Sequence, residues 1–280
     1  MTAPTLSAPG VIDITANSAR PQVTLTYGAA WTPAEITTAL WVDAADSNTI
    51  TLNGSNVSQW DDKSTNNRHV SQGTTGAQPG YTSAESVNFD GSDDNLFRTD
   101  AFMYAAGKAY VFAVVTPDSV RSNNYLFSEG SSSNSSTLYS LMIQQNSSNP
   151  RHNAGFIRND ANAIVLNQDV GVLFGTWVEG QKILLAAEDT GSNYGARKNG
   201  GDASSGGYTR SGTVTPNRFT IGGLRRGTFS SAMHVKVHEF IVLTADPSTE
   251  DRQKIEGYLA WKWGLEANLP SGHPYENAAP

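Results

Sequence analysis

Apolar and β-branched residues recur along this chain in short runs, separated by clusters of Gly, Ser, Asn and Pro. Runs at 38–43, 86–89, 95–98, 110–116, 125–127 and 138–144 predict β-strands. So do the runs at 155–157, 163–166, 173–178, 182–187, 218–221 and 234–243. The stretches 73–80, 130–136, 146–150 and 199–207 read as exposed loops, because strands resume on both sides of each. Many short strands punctuated in this way indicate an all-β sandwich or barrel. Trp41, Trp60 and Trp177 lie in or beside these runs and are expected in the core.

Only one segment has helical spacing. In 248–265, Ile255, Leu259 and Trp263 recur at i, i+4 and i+8 with Tyr258 beside them, which makes one apolar stripe. Ser248 is the expected N-cap with Asp251 three residues on, and Gly264 is a suitable stop. Trp261 points to the other side of such a helix; packing and sugar stacking are its two readings.

Residues 1–30 differ from the rest. They are rich in Pro and Ala, with strand-like pieces at 11–15 and 22–27; in the second, Val23, Leu25 and Tyr27 alternate with polar residues. Thirty residues are too few for a core of their own, so this segment is expected as an N-terminal arm, folded on its own domain or docked on another subunit. Residues 31–280 are then one domain.

Composition narrows the function classes. The 280 residues contain no cysteine, which excludes disulfides and thiolate metal sites. The net charge is −7 and no basic stretch stands out, so nucleic acid is not an expected partner. No apolar run is long enough to span a bilayer. The first residues lack the basic and apolar pattern of a secretion signal, so the chain is expected to fold in the cytoplasm of the cell that makes it.

Several segments together carry a family resemblance: LWVDAAD at 40–46, VSQWDDKS at 57–64, VNFDGSDD at 87–94, FTIGG at 219–223, HEFIVL at 238–243 and IEGYLAWKWGL at 255–265 followed by LPSGHPY at 269–275. In this order they resemble the laminin-G-like, concanavalin A-like lectin domains of bacteriophage tail and head proteins and of bacterial surface proteins. The resemblance covers roughly 31–275; the C-terminal helix motif is its most specific part. It implies a two-sheet antiparallel jelly-roll sandwich with surface display and glycan binding. With the arm and the lack of cysteine, it leads to a non-enzymatic phage virion structural protein: a capsid decoration, tail fibre or tail-tip component. Such a protein works in many copies, joined to other virion subunits through the arm, and is extracellular once assembled. The alternative is a carbohydrate-binding module of a bacterial surface or secreted protein.

Candidate chemistry is sparse. Glycosidases need two carboxylates flanking the scissile bond, and Glu239 stands alone in its strand. Glu250, Asp251 and Glu256 fall on the helix, where exposure is expected. His234 and His238 sit four residues apart in a strand, about 13 Å, too far to share an ion; each is expected at a surface or edge. Calcium is the metal the fold family suggests. It takes six to eight oxygens, and Asp90, Asp93 and Asp94 share one turn, as do Asp43 and Asp46. Asx-turn chemistry explains such clusters equally well. For sugar stacking, Tyr81, Tyr104, Tyr194 and Tyr208 lie in loop-like surroundings. Tyr81 and Tyr208, with Arg210, are the carbohydrate-binding candidates. Arg225 and Arg226 form a small basic pair suited to an acidic glycan, a neighbouring subunit or plain solvent.

Overall fold

The structure is a computed structural model that describes residues 30–119, 121, 123–145, 152–169 and 178–280, and the backbone of two N-terminal strands. Those two strands, Val11–Thr15 and Gln22–Thr26, pair antiparallel with each other as a separate two-stranded sheet. The rest of the expected arm, the expected strand at 173–178 and core residue Trp177 lie outside the described residues, apart from Val178.

The domain is an antiparallel β-sandwich. Its back layer runs Ser204–Gly207, Asn193–Lys198, Ile183–Asp189, Ala109–Pro117 and His234–Leu243. The last of these is long enough to pair Leu40–Asp43 along one half and Ser86–Asp90 along the other. The front layer runs Leu96–Arg98, Arg218–Ile221, Phe127–Gly130, Leu138–Gln145, His152–Arg158 and Ile164–Asp169. Short strands at Gly80–Thr82, Asn56–Trp60 and Val70–Ser71 join the layers at one edge. The loop expected at 199–207 holds the short strand Ser204–Gly207: pairing with Asn193–Lys198 overrides its flexible composition.

Alternation along the central strand explains the layering. In Ala109–Pro117, Val111, Ala113 and Val115 enter the inter-sheet core with Phe127, Tyr139, Phe219 and Phe240. Tyr110, Phe112 and Val114 face the opposite way into a second cluster with Ile255, Leu259 and Trp263 of the C-terminal helix. Both faces are therefore buried, and all nine residues of the strand are dry.

The helix, Thr249–Lys262, starts where expected. Ser248 Oγ accepts from Asp251 N at 3.0 Å, and Gly264 ends it at φ +70°. The tail then folds back on it. Trp261 Nε1 donates to Tyr275 O at 2.8 Å, and His273 reaches Glu256 Oε2 at 3.4 Å. A Cβ on Gly257 would stand 2.6 Å from Tyr275 Cβ, so only glycine admits the tail here. Trp261 is thus tied to the tail through its indole N–H, while its ring stays partly exposed at 36%. Glu256, expected to be exposed, is fully buried, held by Arg252 at 2.7 Å and by His273.

The strand His234–Leu243 carries a bulge. Val115 pairs with Val237 and Val114 with Glu239, which leaves His238 as the extra residue. Val235 and Val237 before the bulge, and Phe240 and Val242 after it, all reach the inter-sheet core. The alternation slips by one position at His238.

Candidate functional site

The bulge turns His238 and Glu239 toward the helix. His238, expected at a surface or edge, is buried. Its Nδ1 lies 2.7 Å from Glu85 O, so it carries the proton; its Nε2 accepts from Thr116 Oγ1 at 2.9 Å. Burial pushes its pKa down to about 4, with the Glu85 carbonyl pulling the other way.

Glu239 is fully buried between sheet and helix. Oε1 accepts from Trp41 Nε1 at 2.7 Å and Tyr258 OH at 3.0 Å. Oε2 accepts from Lys262 Nζ at 2.8 Å and Trp263 Nε1 at 2.7 Å. Lys262 also bridges to Asp43 at 2.7 Å, and Asp43 and Asp46 hold Lys63 at 2.9 and 3.0 Å. Burial raises the Glu239 carboxyl, opposed by Lys262. Four donors occupy both oxygens, so no lone pair faces an open cleft. This carboxylate clamps the helix to the sheet and cannot approach a substrate.

Other buried carboxylates are committed in the same way. Glu129 Oε1 accepts from Phe102 N and Met103 N at 2.6 and 2.7 Å, and Oε2 from Tyr104 N at 2.8 Å. Asp62 accepts from Trp41 N, Ser64 N and Arg68 N at 2.8–2.9 Å, which gives the WDDKS segment a structural reason.

Tyr208 and Arg210 do come together, around a third residue that sequence reasoning did not single out. Buried Asp189 accepts from Tyr208 OH at 2.6 Å, Arg210 Nη2 at 2.7 Å, Tyr139 OH at 3.1 Å and Gly191 N at 2.7 Å. The Arg210 guanidinium lies 4.3 Å from the Tyr104 ring and donates to Tyr104 O at 3.1 Å. Burial, and then Asp189, push the Tyr208 hydroxyl above its usual value. Burial opposes the Arg210 charge, but Tyr208 and Asp189 outweigh it and hold the guanidinium above its usual value. Both side chains are engaged in closing the sandwich edge. Tyr81 is anchored elsewhere, donating to Ala44 O at 3.0 Å and accepting from Ala84 N. Tyr194 is fully buried and donates to Leu141 O at 2.9 Å, so it offers no sugar platform. A satisfied hydroxyl and a buried ring correct its reading as a loop residue.

Asp90, Asp93 and Asp94 can bring ligand oxygens within 4.8 Å of one another. Asp90 Oδ1 accepts from Ser92 N at 2.8 Å, and Asp94 Oδ2 from Asp90 N at 3.0 Å. Burial raises the Asp94 carboxyl to about 6, and the Asp90 and Asp93 charges add to it. Three carboxylates with two oxygens already bonded to backbone supply part of a six-to-eight-oxygen calcium shell. Arg225 and Arg226 lie on the hairpin Leu224–Arg226/Thr228–Ser230.

No protein-family model matches the chain. No curated protein matches it. Among solved structures, it is similar to Trypanosoma rangeli sialidase in complex with sialic acid, at 12% identity and a TM-score of 0.50 over 81% of this chain and 33% of that chain. It is also similar to the botulinum neurotoxin serotype D binding domain, at 9% identity and a TM-score of 0.52 over 79% of this chain and 51% of that one. The chain spans a third of the sialidase and half of the toxin domain. At this identity the likeness is one of fold, and it bears out the β-sandwich.

Proposed function

We propose that the chain is a non-enzymatic phage virion protein, a decoration, fibre or tail-tip component, whose lectin-like sandwich binds glycans of the host surface. The observation that carries binding over catalysis is Glu239, a buried carboxylate of the strand His234–Leu243 with both oxygens occupied by four structural donors. Glu129 and Asp189 are likewise committed. Glycosidase chemistry needs a carboxyl group free to meet the substrate. What remains for ligands is the solvent face of the sheets and their loops. The arm, residues 1–30, is the part of the chain that would mount the domain on other virion subunits. Many mounted copies convert weak single contacts into firm attachment by avidity.

Two measurements test this. Deleting residues 1–30 should leave a folded domain that no longer joins particles; normal incorporation of the truncated chain would refute the mounting role. A panel of neutral and acidic glycans should yield a ligand with no turnover of sialosides or polysaccharides. Measurable hydrolysis would refute the non-enzymatic reading. Binding by a chain that is absent from particles would favour a carbohydrate-binding module of a bacterial surface protein.

A further inference from the structure

In an antiparallel sheet, directly opposed residues project from the same face. The front layer pairs Arg218 with Gly130, Gly130 with Leu138, and Leu138 with Arg158. These four positions form one row across four strands. The adjoining residues Phe219, Tyr139 and Ile157 fill the inter-sheet core, so the row faces away from it. At about 4.8 Å per strand, the ends of the row, Arg218 and Arg158, stand about 14 Å apart.

Gly130 sits in the row without a side chain, and something else covers it. A Cβ there would meet Arg225 O at 2.3 Å and Arg226 Cγ at 3.3 Å. The hairpin carrying Arg225 and Arg226 therefore crosses the row between Arg218 and Arg158. Arg225 extends over Phe97, 4.2 Å from the ring, and donates to Asn95 Oδ1 at 3.2 Å. Arg158 lies 5.2 Å from the Phe156 ring and donates to Asn162 Oδ1 at 3.1 Å.

Four guanidiniums are thus gathered on one face, all partly exposed. Among the described residues, no carboxylate forms an ion pair with Arg158, Arg218, Arg225 or Arg226. Asp160, two residues past Arg158, is bonded instead to Thr137 Oγ1 at 2.6 Å and to Thr215 N and Oγ1 at 3.0 and 2.6 Å. The like charges feel one another: burial and then Arg218 lower Arg225, and burial and then Arg158 lower Arg226. The Nε atoms of Arg158 and Arg225 are buried donors without a protein partner. The chain as a whole carries 26 acidic against 19 basic side chains, so this concentration of unpaired arginine runs against its composition.

We propose that this arginine face binds the carboxylate or sulfate groups of an acidic glycan. The inference rests on the glycan-binding reading above and names its ligand class. Guanidinium forks match carboxylate and sulfate oxygens in paired hydrogen bonds. A row about 14 Å long at the backbone lets an extended acidic chain meet several of these guanidiniums. The net charge of −7 repels a dense polyanion such as duplex DNA at long range, which favours sparsely charged chains. Ile164, paired with Arg158 and 56% exposed, adds apolar surface beside the charges.

The test uses the full chain on a panel of neutral, uronic- or sialic-acid-bearing and sulfated glycans. Acidic members should bind, and binding should weaken as salt rises from about 50 to about 500 mM. Arg158→Gln and Arg226→Gln should each lose about tenfold in affinity while melting at the wild-type temperature. Carboxylated and sulfated members compared side by side show which anion is preferred. Acidic glycans bound equally by the variants and the wild type would overturn the inference, as would preference for duplex DNA or an acidic peptide. Neutral glycans bound independently of these arginines would overturn it and leave the lectin reading standing. A panel blank in every arm would overturn both.

Discussion

Replacing Glu239 by Gln tests whether this carboxylate is a clamp or a reactive group. The amide keeps one acceptor and gains two donors. Turned toward Tyr258, its NH2 group can donate to the hydroxyl, but the Trp41 indole N–H, now 2.7 Å from an acceptor, is orphaned. Turned the other way, it faces Trp263 Nε1 and Lys262 Nζ, both donors only. Either orientation strands a buried N–H, which costs about 1–3 kcal/mol. Lys262 also loses one of two carboxylates. Breaking a buried ion pair costs about 3–5 kcal/mol, and the 2.7 Å bridge to Asp43 that survives softens this. With the second cost roughly halved by that surviving bridge, the sum is about 3–5 kcal/mol, or about 6–20 °C in melting temperature for a domain this large. Urea unfolding and a thermal melt of Glu239→Gln measure it. A variant within about 0.5 kcal/mol of wild type, the usual range of surface substitutions, would refute the clamp. Lys262→Met in the Glu239→Gln background should add less than it does alone, because the two share the interaction.

Acid should act through His238. Its folded pKa of about 4 lies below the ordinary 6.5, so the stability it contributes is present above pH 6.5 and lost as pH falls through about 4. The full difference is about 3 kcal/mol; urea midpoints between these pH values should fall in wild type and fall less in His238→Gln. Asp94 works in the opposite sense. Raised to about 6, it favours the folded state at low pH and loses that contribution as pH rises from about 4 through 6, by about 1 kcal/mol once solvent screening is allowed for; Asp94→Asn should therefore steepen the acid loss. Arg210→Met should destabilise by about 2–4 kcal/mol, since Asp189 would stay buried without its cation, yet leave affinity for acidic glycans unchanged. Gly257→Ala should push Tyr275 off the helix at a cost of about 1–3 kcal/mol, seen as a lower melting temperature and faster proteolysis of the tail.

The all-β class, the C-terminal helix with its Ser248 cap and Gly264 stop, and most strand positions were legible in the sequence, because alternation and capping are local properties of consecutive residues. Even the bulge left a trace: Val235 and Val237 keep one parity, Phe240 and Val242 the other. What tertiary structure alone decided was the company each polar group keeps. Glu239 draws donors from Trp41, 198 residues away, and from a helix about twenty residues on. Asp189 needs Tyr139 and Arg210 to be a satisfied buried charge. Arg158 and Arg218 become neighbours of Arg225 and Arg226 only through strand register and a side chain missing at Gly130. Local pattern sets which residues face inward, because burying apolar surface depends mainly on each residue's own character. Hydrogen bonds and charge clusters depend on pairs, and distant pairs are brought together only when the sheets close.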